Sequence, residues 1–523
     1  MSAARSGGVL EQRLIVVGAG MAGLNLALAL GRTPGFRIVL LERDPPTGGR
    51  PPETAFTAWR RRGVAHFRQS HIFHPRLLEL YRRHNPELLA ELRRAGVREL
   101  AVEEALPDTL RAQYRLRPAD GGCALLLSRR ATLEAVLRDH VARLPAVELA
   151  SGQNVTGVIV DPAVDGPRVI GVRARTGSAT SVVDDGVFGD VIVDASGRLT
   201  RFPRWLRAVG IEAREEGNVE VDTVYYTRYY RLQLGCIEPT TSGRPVFGRR
   251  DFLSCCVYPG DHGHFSVTLT CAADDRPLRQ ALADSDQFQL ACTSLAEIAP
   301  WIAPERAEPT TGVMAMARFR NYWRSYVTAA RPLVVGFFAI GDALAHTNPA
   351  YGAGCSWAAQ HAHILAGVLR ATRDPMTRAC RFDERVRAEA YPSYARMAAR
   401  DQVVGREPSP AKPTGLHGLQ RKLRNMAINA MATARADDPG IFLWSLRRKY
   451  MIERPRFWSD GVFLLWRTVL FSARGGWFGG SPTVHHRLTR TQFLGLVAGG
   501  RLEAVPSCAP ELALTPHSLP RDS

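Results

Sequence analysis

Three glycines near the N-terminus have the spacing of a site that binds a dinucleotide. The stretch LIVVGAGMAGLNLALAL, residues 14–30, places Gly18, Gly20 and Gly23 between an apolar strand and an apolar helix. In this pattern one glycine makes a tight turn, one lets a pyrophosphate approach backbone N–H groups, and one lets the helix pack on the strand. The next strand ends at Glu42, whose carboxylate can accept hydrogen bonds from both ribose hydroxyls of an adenosine. The pattern therefore predicts a site for an adenine dinucleotide.

Glu42 also bears on which dinucleotide binds. A carboxylate repels the 2′-phosphate of NADP, so we expect FAD or NAD at this position. Arg43, the next residue, is a candidate phosphate ligand, and solvent exposure after a strand explains an arginine there equally well.

A second glycine-rich turn, far downstream, favours FAD over NAD. An apolar run ends at Gly341 and Asp342, where the carboxylate can accept a hydrogen bond from a polyol such as the ribityl chain of a flavin. The segment NPAYGAG follows and opens a helix whose first N–H groups can stabilise negative charge on the flavin ring. A fold that binds NAD alone needs no such second site. The candidate residues of this segment are Pro349, Gly352, Ala353 and Gly354.

The elements that would position these residues are typical of a Rossmann-like α/β fold. Apolar runs indicate buried strands, and apolar residues at helical intervals indicate helices. Three short alternating runs, VTGVIV, RVIGVRA and DVIVDAS, predict a meander that returns to a buried parallel strand. The predicted elements are strands at 14–17, 36–42 and 190–194, and helices at 21–31, 74–97 (broken at Pro86) and 128–144.

The pattern changes in the middle of the chain. Longer strands rich in tyrosine, threonine and valine, such as VEVDTVYYTRYYRLQL, predict a separate, mainly antiparallel sheet, before PLVVGFFAIGDA at 332–343 restores the parallel-sheet pattern. The segment GREPSPAKPTG at 405–415 has the composition of an exposed linker. The expected domains are 1–205 and 331–405 for the two parts of an FAD-binding domain, 206–330 for an inserted substrate-binding β-sheet domain, and 406–523 for the linker and a helical C-terminal region.

Charge and cysteine usage exclude several classes of protein. The formal net charge is +18, but all the cations except three lysines are arginines, and they are scattered without a compact basic run. We therefore expect no nucleic-acid partner. The nine cysteines include the adjacent Cys255 and Cys256 and form no CxxC pair, which favours a reducing compartment, the cytoplasm, and we predict no metal site.

No stretch of the chain predicts a membrane span. The N-terminal residues lack the apolar core of a signal peptide, and no uncharged apolar run approaches the length that a transmembrane helix needs. The segment FWSDGVFLLWRTVLFSARGGWF at 457–478 is aromatic and apolar with interspersed arginines. A helix packed over a substrate pocket is the favoured interpretation, and contact with a bilayer surface is the alternative.

Taken together, these motifs give a sequence that resembles the FAD-dependent monooxygenases of the para-hydroxybenzoate hydroxylase type. The resemblance rests on GxGxxG with Glu42, on DASGR at 194–198, and on GD at 341–342 with the following NPAYGAG. It covers roughly residues 12–400. The segments DASGRLTRFPRWL and NPAYGAG are most similar to bacterial natural-product epoxidases, including those that act on polyether precursors. By this resemblance Arg130, in RATLE, corresponds to an arginine near the FAD phosphates; a solvated helix arginine is the alternative.

The resemblance implies an oxidoreductase of secondary metabolism, such as antibiotic biosynthesis. It implies that one oxygen atom passes from a flavin C4a-hydroperoxide to a small apolar natural-product intermediate, by epoxidation or hydroxylation. The cofactor supplies the hard chemistry in such enzymes, so no catalytic residue is assigned. The sequence contains no second complete GxGxxG unit, because GLVAGG at 495–500 has the wrong spacing. Electrons would therefore come from transiently docked NAD(P)H or from a separate flavin reductase.

Several polar residues close to the flavin motifs have two interpretations. Asp194 is more readily a structural residue between the two halves of the fold than a group that transfers protons. Capping or packing explains His346, Asn348 and Tyr351 more readily than catalysis does. The candidates for lining the route of a nicotinamide are Ser196, Arg198 and Arg201.

Three alternative functions remain open. An FAD-dependent saturase or dehydrogenase, similar to geranylgeranyl reductases, would share the fold without oxygen transfer. Flavin-dependent halogenases are typified by a lysine that captures hypohalous acid and by a WxWxIP motif, whereas this chain has no lysine before Lys412 and only one tryptophan in PWIAP at 300–304. A non-catalytic flavin-binding or membrane-surface protein would bind FAD without turnover.

The substrate pocket is expected between the inserted sheet and FAD. Aromatic residues there alternate with polar neighbours, so half of them should face elsewhere. An aromatic, apolar lining suits a polyene, a polyketide, a terpenoid or an aromatic ring. The candidate lining residues are Tyr225, Tyr226, Tyr229, Tyr230 and Phe265.

Overall fold

The computed structural model describes most of the chain between residues 11 and 404 and two shorter C-terminal segments. The described ranges are 11–106, 108–111, 114–115, 123–162, 166–176, 183–239, 245–404, 438–449 and 488–499. Two segments interpreted from the sequence, the linker at 405–415 and the apolar stretch at 457–478, lie outside the described residues.

Residues 12–42 form the predicted βαβ unit. Its elements are β1 (Gln12–Val17), α1 (Met21–Leu30) and β2 (Phe36–Glu42). The two strands pair in parallel, with Val17 opposite Leu41. Every residue of α1 except Ala29 is buried, as expected of a helix that is apolar on all sides.

A mainly helical segment follows. Asn85, between α3 and α4, has a φ of −146°, so the helix breaks just before Pro86, as predicted. The elements are α2 (Ala55–Ala58), α3 (Pro75–His84), α4 (Pro86–Arg94), β3 (Arg98–Leu100), α5 (Val102–Ala105), α6 (Asp108–Arg111), β4 (Leu125–Leu127) and α7 (Arg130–Ala142).

The predicted meander and its return to the parallel sheet are confirmed. Its strands are β5 (Val147–Ser151), β6 (Asn154–Asp161), β7 (Arg168–Thr176), β8 (Val183–Phe188) and β9 (Val191–Asp194). Strands β6, β7 and β8 pair antiparallel, while β9 lies parallel to β1.

An inserted region of antiparallel strands and short helices comes next. Its elements are α8 (Phe202–Arg207), β10 (Arg214–Val221), β11 (Val224–Leu232), β12 (Val246–Arg249), β13 (Ser254–Pro259), β14 (His264–Cys271), α9 (Arg276–Ala283), α10 (Ser285–Thr293), α11 (Ala299–Ile302), β15 (Ala307–Pro309), β16 (Met314–Met316), β17 (Phe319–Ser325), β18 (Val327–Thr328) and β19 (Arg331–Pro332).

The chain then re-enters the parallel sheet and continues into helices. The remaining elements are β20 (Phe337–Ala339), β21 (Ala345–His346), α12 (Gly354–Ala371), α13 (Pro375–Glu389), α14 (Tyr391–Val404), α15 (Pro439–Lys449) and α16 (Arg490–Val497). Both described C-terminal segments are therefore helical. None of the described helices has the length and apolar character needed to cross a bilayer.

The prediction of one sheet for residues 206–330 was wrong. The predicted strand VEVDTVYYTRYYRLQL is interrupted between Val221 and Val224, because the Thr223 N–H donates to the Val221 carbonyl at 2.9 Å and turns the chain. Consequently β10 joins β17 and β21 in a three-stranded sheet, and β11 joins a larger antiparallel sheet with the order β12-β13-β14-β11-β15.

The fold class predicted from the sequence is confirmed. Five parallel strands in the order β20-β9-β1-β2-β5 form a Rossmann-like sheet, and the larger antiparallel sheet, with β10 and β17, is inserted between β9 and β20. Two main hydrophobic clusters match this division. One surrounds the parallel sheet with α1 and α12, and the other packs the larger antiparallel sheet against α9, α10 and α16.

Candidate functional site

The carboxyl ends of four parallel strands meet at one edge of the sheet. The register places Val17 of β1 opposite both Leu41 of β2 and Asp194 of β9, and Asp194 opposite Ala339 of β20. The GxGxxG turn, Glu42, DASGR and the GD turn lie at these strand ends or just after them. In open α/β sheets ligands bind outside the carboxyl ends of the strands. Segments far apart in the sequence therefore converge on one site.

A cavity of about 1190 Å³ lies along this edge and continues beneath the antiparallel sheet. This volume exceeds the ~300–1,000 Å³ of most small-molecule pockets, so the cavity has room for a cofactor and a second molecule. Ten of the twelve candidate residues line it, and Gly23 and Gly341 do not. The ten are Gly18, Gly20, Glu42, Arg43, Arg130, Asp342, Pro349, Gly352, Ala353 and Gly354.

The three glycines of the first turn have different surroundings. Gly18 has a φ of +105°, and a Cβ there would lie 2.5 Å from the Ala195 carbonyl oxygen. A Cβ on Gly23 would lie 2.0 Å from the Gly18 oxygen, so Gly23 serves helix packing. Around Gly20 the nearest heavy atom, Arg61 Nη2, is 3.9 Å from such a Cβ. Gly20 is therefore the position where the backbone stays open to a ligand.

Two helices begin at this cavity without a side-chain cap. Helix α1 follows Gly20 and α12 follows Ala353, and neither has an acidic residue in its first turn. Their first backbone N–H groups lack intrahelical acceptors and carry the positive end of the helix dipole. Anionic or electron-rich atoms are the partners that such ends prefer. An open glycine turn and two uncapped helices fit the phosphates and ring of a dinucleotide such as FAD.

Glu42 is buried and holds the turn together from inside. Its Oε2 accepts the Ala19 N–H at 2.9 Å and pairs with Arg61 Nη1 at 2.8 Å, while Oε1 accepts the Asp44 N–H at 2.9 Å. A carboxylate offers about four acceptor positions, and three are used here. In this arrangement Glu42 has a position for one ribose hydroxyl, rather than the two expected from the sequence.

A buried cluster of charges supports the turn, and sequence reasoning missed its centre, Arg61. The guanidinium lies 2.7 Å from Glu134, 2.8 Å from Glu42 and 3.4 Å from Asp44, and it donates to the Ala19 carbonyl at 3.0 Å. Burial alone would lower the pKa of Arg61, but Glu134 and Glu42 raise it above its usual value. In the sequence Arg61 is the middle residue of three consecutive arginines. The structure shows that Arg61 is buried and that Arg60 and Arg62 are exposed.

Glu134 links this cluster to Arg130. Its Oε2 accepts from Arg130 Nε at 3.0 Å, and the Glu134 side chain is fully buried. Burial would raise the pKa of Glu134, but Arg61 and Arg130 hold it below its usual value. Arg130 is thus a buried, paired cation at the cavity wall, and the alternative of a solvated helix arginine is excluded. A role at the FAD phosphates stays a prediction.

Two stacked histidines occupy the middle of the cavity wall. The rings of His66 and His71 lie 5.7 Å apart, and Arg130 Nη1 is 3.5 Å from His71 Nε2. His71 Nδ1 is 2.8 Å from the Gln69 carbonyl, which can only accept, so Nδ1 carries the proton. Burial, followed by Arg130, lowers the pKa of His71 to about 3 and that of His66 well below its usual value. Both rings are neutral at pH 7.

The second turn is held by a buried histidine of α12. The Gly341 N–H donates to His361 Nδ1 at 3.2 Å, and burial lowers the pKa of His361 to about 3. Gly341 has a φ of +61°, and a Cβ there would meet Ala22 of α1 at 2.8 Å. Gly341 therefore lets α1 and α12 lie close together, which leaves the neighbouring Asp342 on the cavity wall.

The loop before α12 is tied to α14 through neutral donors. Asp401 accepts hydrogen bonds from Asn321 Nδ2 and from the Tyr351 hydroxyl, both at 2.7 Å. Asn348 accepts from the Tyr225 hydroxyl and caps the turn through the Ala350 N–H. These contacts give Asn348 and Tyr351 structural roles. His346 donates through Nδ1 to the Arg320 carbonyl at 2.8 Å and stacks between Phe319 and Tyr322.

Asp194 orders the DASGR loop. The carboxylate is fully buried and accepts from the Ser196 N–H, the Ser196 hydroxyl and the Thr200 hydroxyl. Burial raises the pKa of Asp194. The side chain holds the loop after β9 in place, in agreement with the structural interpretation. Ser196, Arg198 and Arg201 all line the cavity.

The antiparallel sheet presents hydroxyl groups to the cavity, and the predicted aromatic lining was wrong for all residues except Tyr225. Tyr226, Tyr230 and Phe265 lie in the core on the other face of the sheet, and Tyr229 packs on Phe56. Strand alternation separates the two faces. The hydroxyls of Ser70, Thr268 and Thr227 form a hydrogen-bonded row at 2.6–2.7 Å, and all three residues line the cavity. Besides Tyr225, the sheet contributes the aromatic residues Phe247 and Tyr258 to this lining.

Comparisons with known proteins agree with this architecture. A family model described as an NAD(P)-binding Rossmann-like domain matches residues 16–84. Protein Rv3254 of Mycobacterium tuberculosis is 25% identical over 462 residues, which cover 85% of this chain and 90% of that protein.

Two solved structures extend the likeness to nearly the whole fold. CmlS, a flavin-dependent halogenase, is similar with a TM-score of 0.56 at 18% identity, over 89% of this chain and 78% of that one. PqsL of Pseudomonas aeruginosa, described as a probable FAD-dependent monooxygenase, is similar with a TM-score of 0.51 at 18% identity, over 75% of this chain and 95% of that one. The chain thus has the fold shared by FAD-dependent monooxygenases and halogenases. Identities this low establish the fold and leave the reaction to be argued from the site.

Proposed function

We propose that the protein is an FAD-dependent monooxygenase that epoxidises or hydroxylates a natural-product intermediate. The observation that carries this proposal is that one cavity is lined both by the GxGxxG turn and by residues 342–354. FAD is elongated, and each end needs its own ligands. A nucleotide alone would leave the second turn without a role.

The residues that would hold FAD follow from the chemistry of its parts. The N–H groups at the start of α1 and the cation of Arg130 suit the pyrophosphate, and Glu42 suits a ribose hydroxyl. Asp342 suits the ribityl chain, and the N–H groups at the start of α12 suit the electron-rich edge of the ring. When bound, FAD would supply the activation of molecular oxygen.

The tasks of the protein are binding, orientation and exclusion of water. The ordered loop after β9, the tied loop at 348–351 and the antiparallel sheet enclose the space beside the second turn. His66 and His71 stay neutral there, so neither imidazole places a positive charge beside the flavin. No side chain is assigned as a catalytic acid or base.

The electron source is part of the proposal. Because the first turn belongs to FAD, NAD(P)H would dock transiently in the wide cavity or a separate flavin reductase would deliver electrons. Cytoplasmic location is also proposed, in keeping with eight described cysteines that are all free.

Halogenation is the second candidate, because CmlS has a similar fold. A lysine-held hypohalous acid needs a lysine at the cavity, and the chain has none before Lys412. We therefore favour oxygen transfer over halogen transfer.

Isotope labelling distinguishes oxygen transfer, halogen transfer and dehydrogenation. The purified flavoprotein, a flavin reductase and NADH are incubated under ¹⁸O₂ with chloride and bromide and with a panel of polyenes and aromatic acids. We expect products that carry one ¹⁸O atom. Products that have lost two hydrogens without label would identify a dehydrogenase, and halogenated products would identify a halogenase.

A further inference from the structure

The cavity carries more positive charge than its carboxylates neutralise. Seven arginines line it, namely Arg43, Arg61, Arg130, Arg198, Arg201, Arg249 and Arg400, against the carboxylates of Glu42, Asp342 and Asp401. Arg61 and Arg130 are paired with Glu134. Asp401 is engaged by Asn321 and Tyr351, which are neutral. The remaining arginines are Arg43 beside Glu42, Arg198 and Arg201 after β9, Arg249 on β12 and Arg400 on α14.

Arg198 differs from the other cavity arginines because it is half-buried and no residue in the described part of the chain forms an ion pair with it. Its Nε is buried, and no described residue accepts a hydrogen bond from it. The guanidinium lies 5.2 Å from the centre of the Phe319 ring, which attracts a cation but offers no acceptor. By contrast, Arg201, Arg249 and Arg400 are exposed and can be solvated. A guanidinium that is partly removed from water and lacks an acceptor calls for an anion.

The backbone around Arg198 is fixed before any ligand arrives. Gly197 has a φ of +84°, and Asp194 holds both Ser196 and Thr200. The Tyr322 hydroxyl, which donates to the Asp342 carbonyl at 2.7 Å, lies 3.4 Å from the Arg198 carbonyl. A cation on a rigid loop loses little entropy when it binds, which favours a specific ligand over a mobile counter-ion.

The contacts described for Arg198 include no carboxylate. Phe319 also contacts His346 and Tyr225, and the hydroxyl-bearing residues Thr227 and Thr268 line the same cavity. His66 is close enough to be affected by Arg198 and is neutral. Hydroxyls and a guanidinium together suit a carboxylate or phosphate on an otherwise organic molecule.

We infer that Arg198 binds an anionic group, a carboxylate or phosphate, of the substrate that occupies the sheet side of the cavity. This inference rests on the proposed function and makes the substrate an amphipathic acid, rather than the apolar molecule expected from the sequence. The phosphates of NAD(P)H have the same chemistry and are the competing source of the anion. The bidentate guanidinium would orient the substrate rather than take part in oxygen transfer.

The test uses the flavin-loaded protein and matched probes. Decanoate, decyl phosphate and decanol differ in the head group, and 2′,5′-ADP stands for the phosphates of NADP. Binding is measured by calorimetry and by changes in the visible flavin spectrum for the wild type, for Arg198→Ala and Arg198→Lys, and for Arg204→Ala as an exposed control that does not line the cavity.

We expect the wild type and Arg204→Ala to bind decanoate or decyl phosphate in preference to decanol. Arg198→Ala should weaken binding of the acids by about 10- to 100-fold, the loss for hydrogen bonds to a charged group, and leave decanol unchanged. Arg198→Lys should recover part of the loss. Equal binding of acids and decanol by the wild type would overturn the inference, as would a selective loss of 2′,5′-ADP binding in Arg198→Ala.

Loss of FAD itself would be a separate outcome. If Arg198→Ala binds less FAD than the wild type, the guanidinium serves the cofactor and the inference is wrong although the proposed function stands. If the wild type binds no FAD, the proposed function has failed before Arg198 is tested.

Discussion

Replacing Glu134 by glutamine should lower the free energy of unfolding by about 3–5 kcal/mol, nearer the lower figure. The substitution keeps the size of the side chain and removes the charge that pairs with both Arg61 and Arg130. Arg130 then has no described carboxylate partner, whereas Arg61 keeps Glu42 and Asp44. An unpaired buried cation is costly because its desolvation is no longer offset. Denaturant unfolding of the cofactor-free protein measures the change.

A matched substitution separates this effect from simple loss of a charge. Glu87 pairs with Arg32 on the surface, where the two side chains are 65% and 63% exposed. Exposed pairs contribute about 0–1 kcal/mol, so Glu87→Gln should be nearly neutral. If Glu134→Gln lowers the free energy of unfolding as little as Glu87→Gln does, the buried charge cluster does not stabilise the first turn as its geometry indicates.

Replacing Gly20 by valine should abolish FAD binding while the fold stays intact. Gly20 has an extended backbone, with a φ of −92°, which valine adopts readily, and a Cβ there is 3.9 Å from the nearest heavy atom. The added methyl groups would instead fill the space that the pyrophosphate needs. Each hydrogen bond lost to a phosphate should weaken binding by about 10- to 100-fold. Flavin content after purification and fluorescence titration with FAD measure the loss.

Gly23 provides the contrasting substitution. A Cβ at Gly23 would lie 2.0 Å from the Gly18 oxygen, so Gly23→Ala should destabilise the protein even without FAD. Gly20→Val should unfold at the same denaturant concentration as the wild type when both are cofactor-free. Full flavin content in Gly20→Val would show that FAD, if bound, lies elsewhere.

The parallel sheet and the residues at its edge were predictable because their signals are local. Buried strands appear as short apolar runs, and GxGxxG fixes the turn between β1 and α1. The convergence of Gly18 and Asp342 follows from one further rule, that parallel strands end at the same edge. These positions required no knowledge of side-chain contacts.

The supporting residues were not predictable, because their roles depend on long-range partners. Arg61 is one of three consecutive arginines, and its burial against Glu134, Glu42 and Asp44 distinguishes it from its exposed neighbours. The prediction that the tyrosines of β11 line the cavity was wrong, except for Tyr225, for a related reason. Alternation gives two faces, but the packing of α9 and α10 decides which face forms the core. From the sequence, Arg198 was a candidate for lining the route of a nicotinamide. Only the structure shows that Arg198 is half-buried and that its Nε has no hydrogen-bond partner among the described residues.

The central claim is that one cavity binds both the adenosine and the flavin ends of FAD. Calorimetric titration of the cofactor-free protein with FAD and, separately, with ADP tests it directly. If both ends are held, one FAD should bind per chain, about 100-fold or more tightly than ADP, because the second set of contacts adds to the first without a new loss of freedom. Equal affinities for FAD and ADP, or failure of FAD to bind, would contradict the claim.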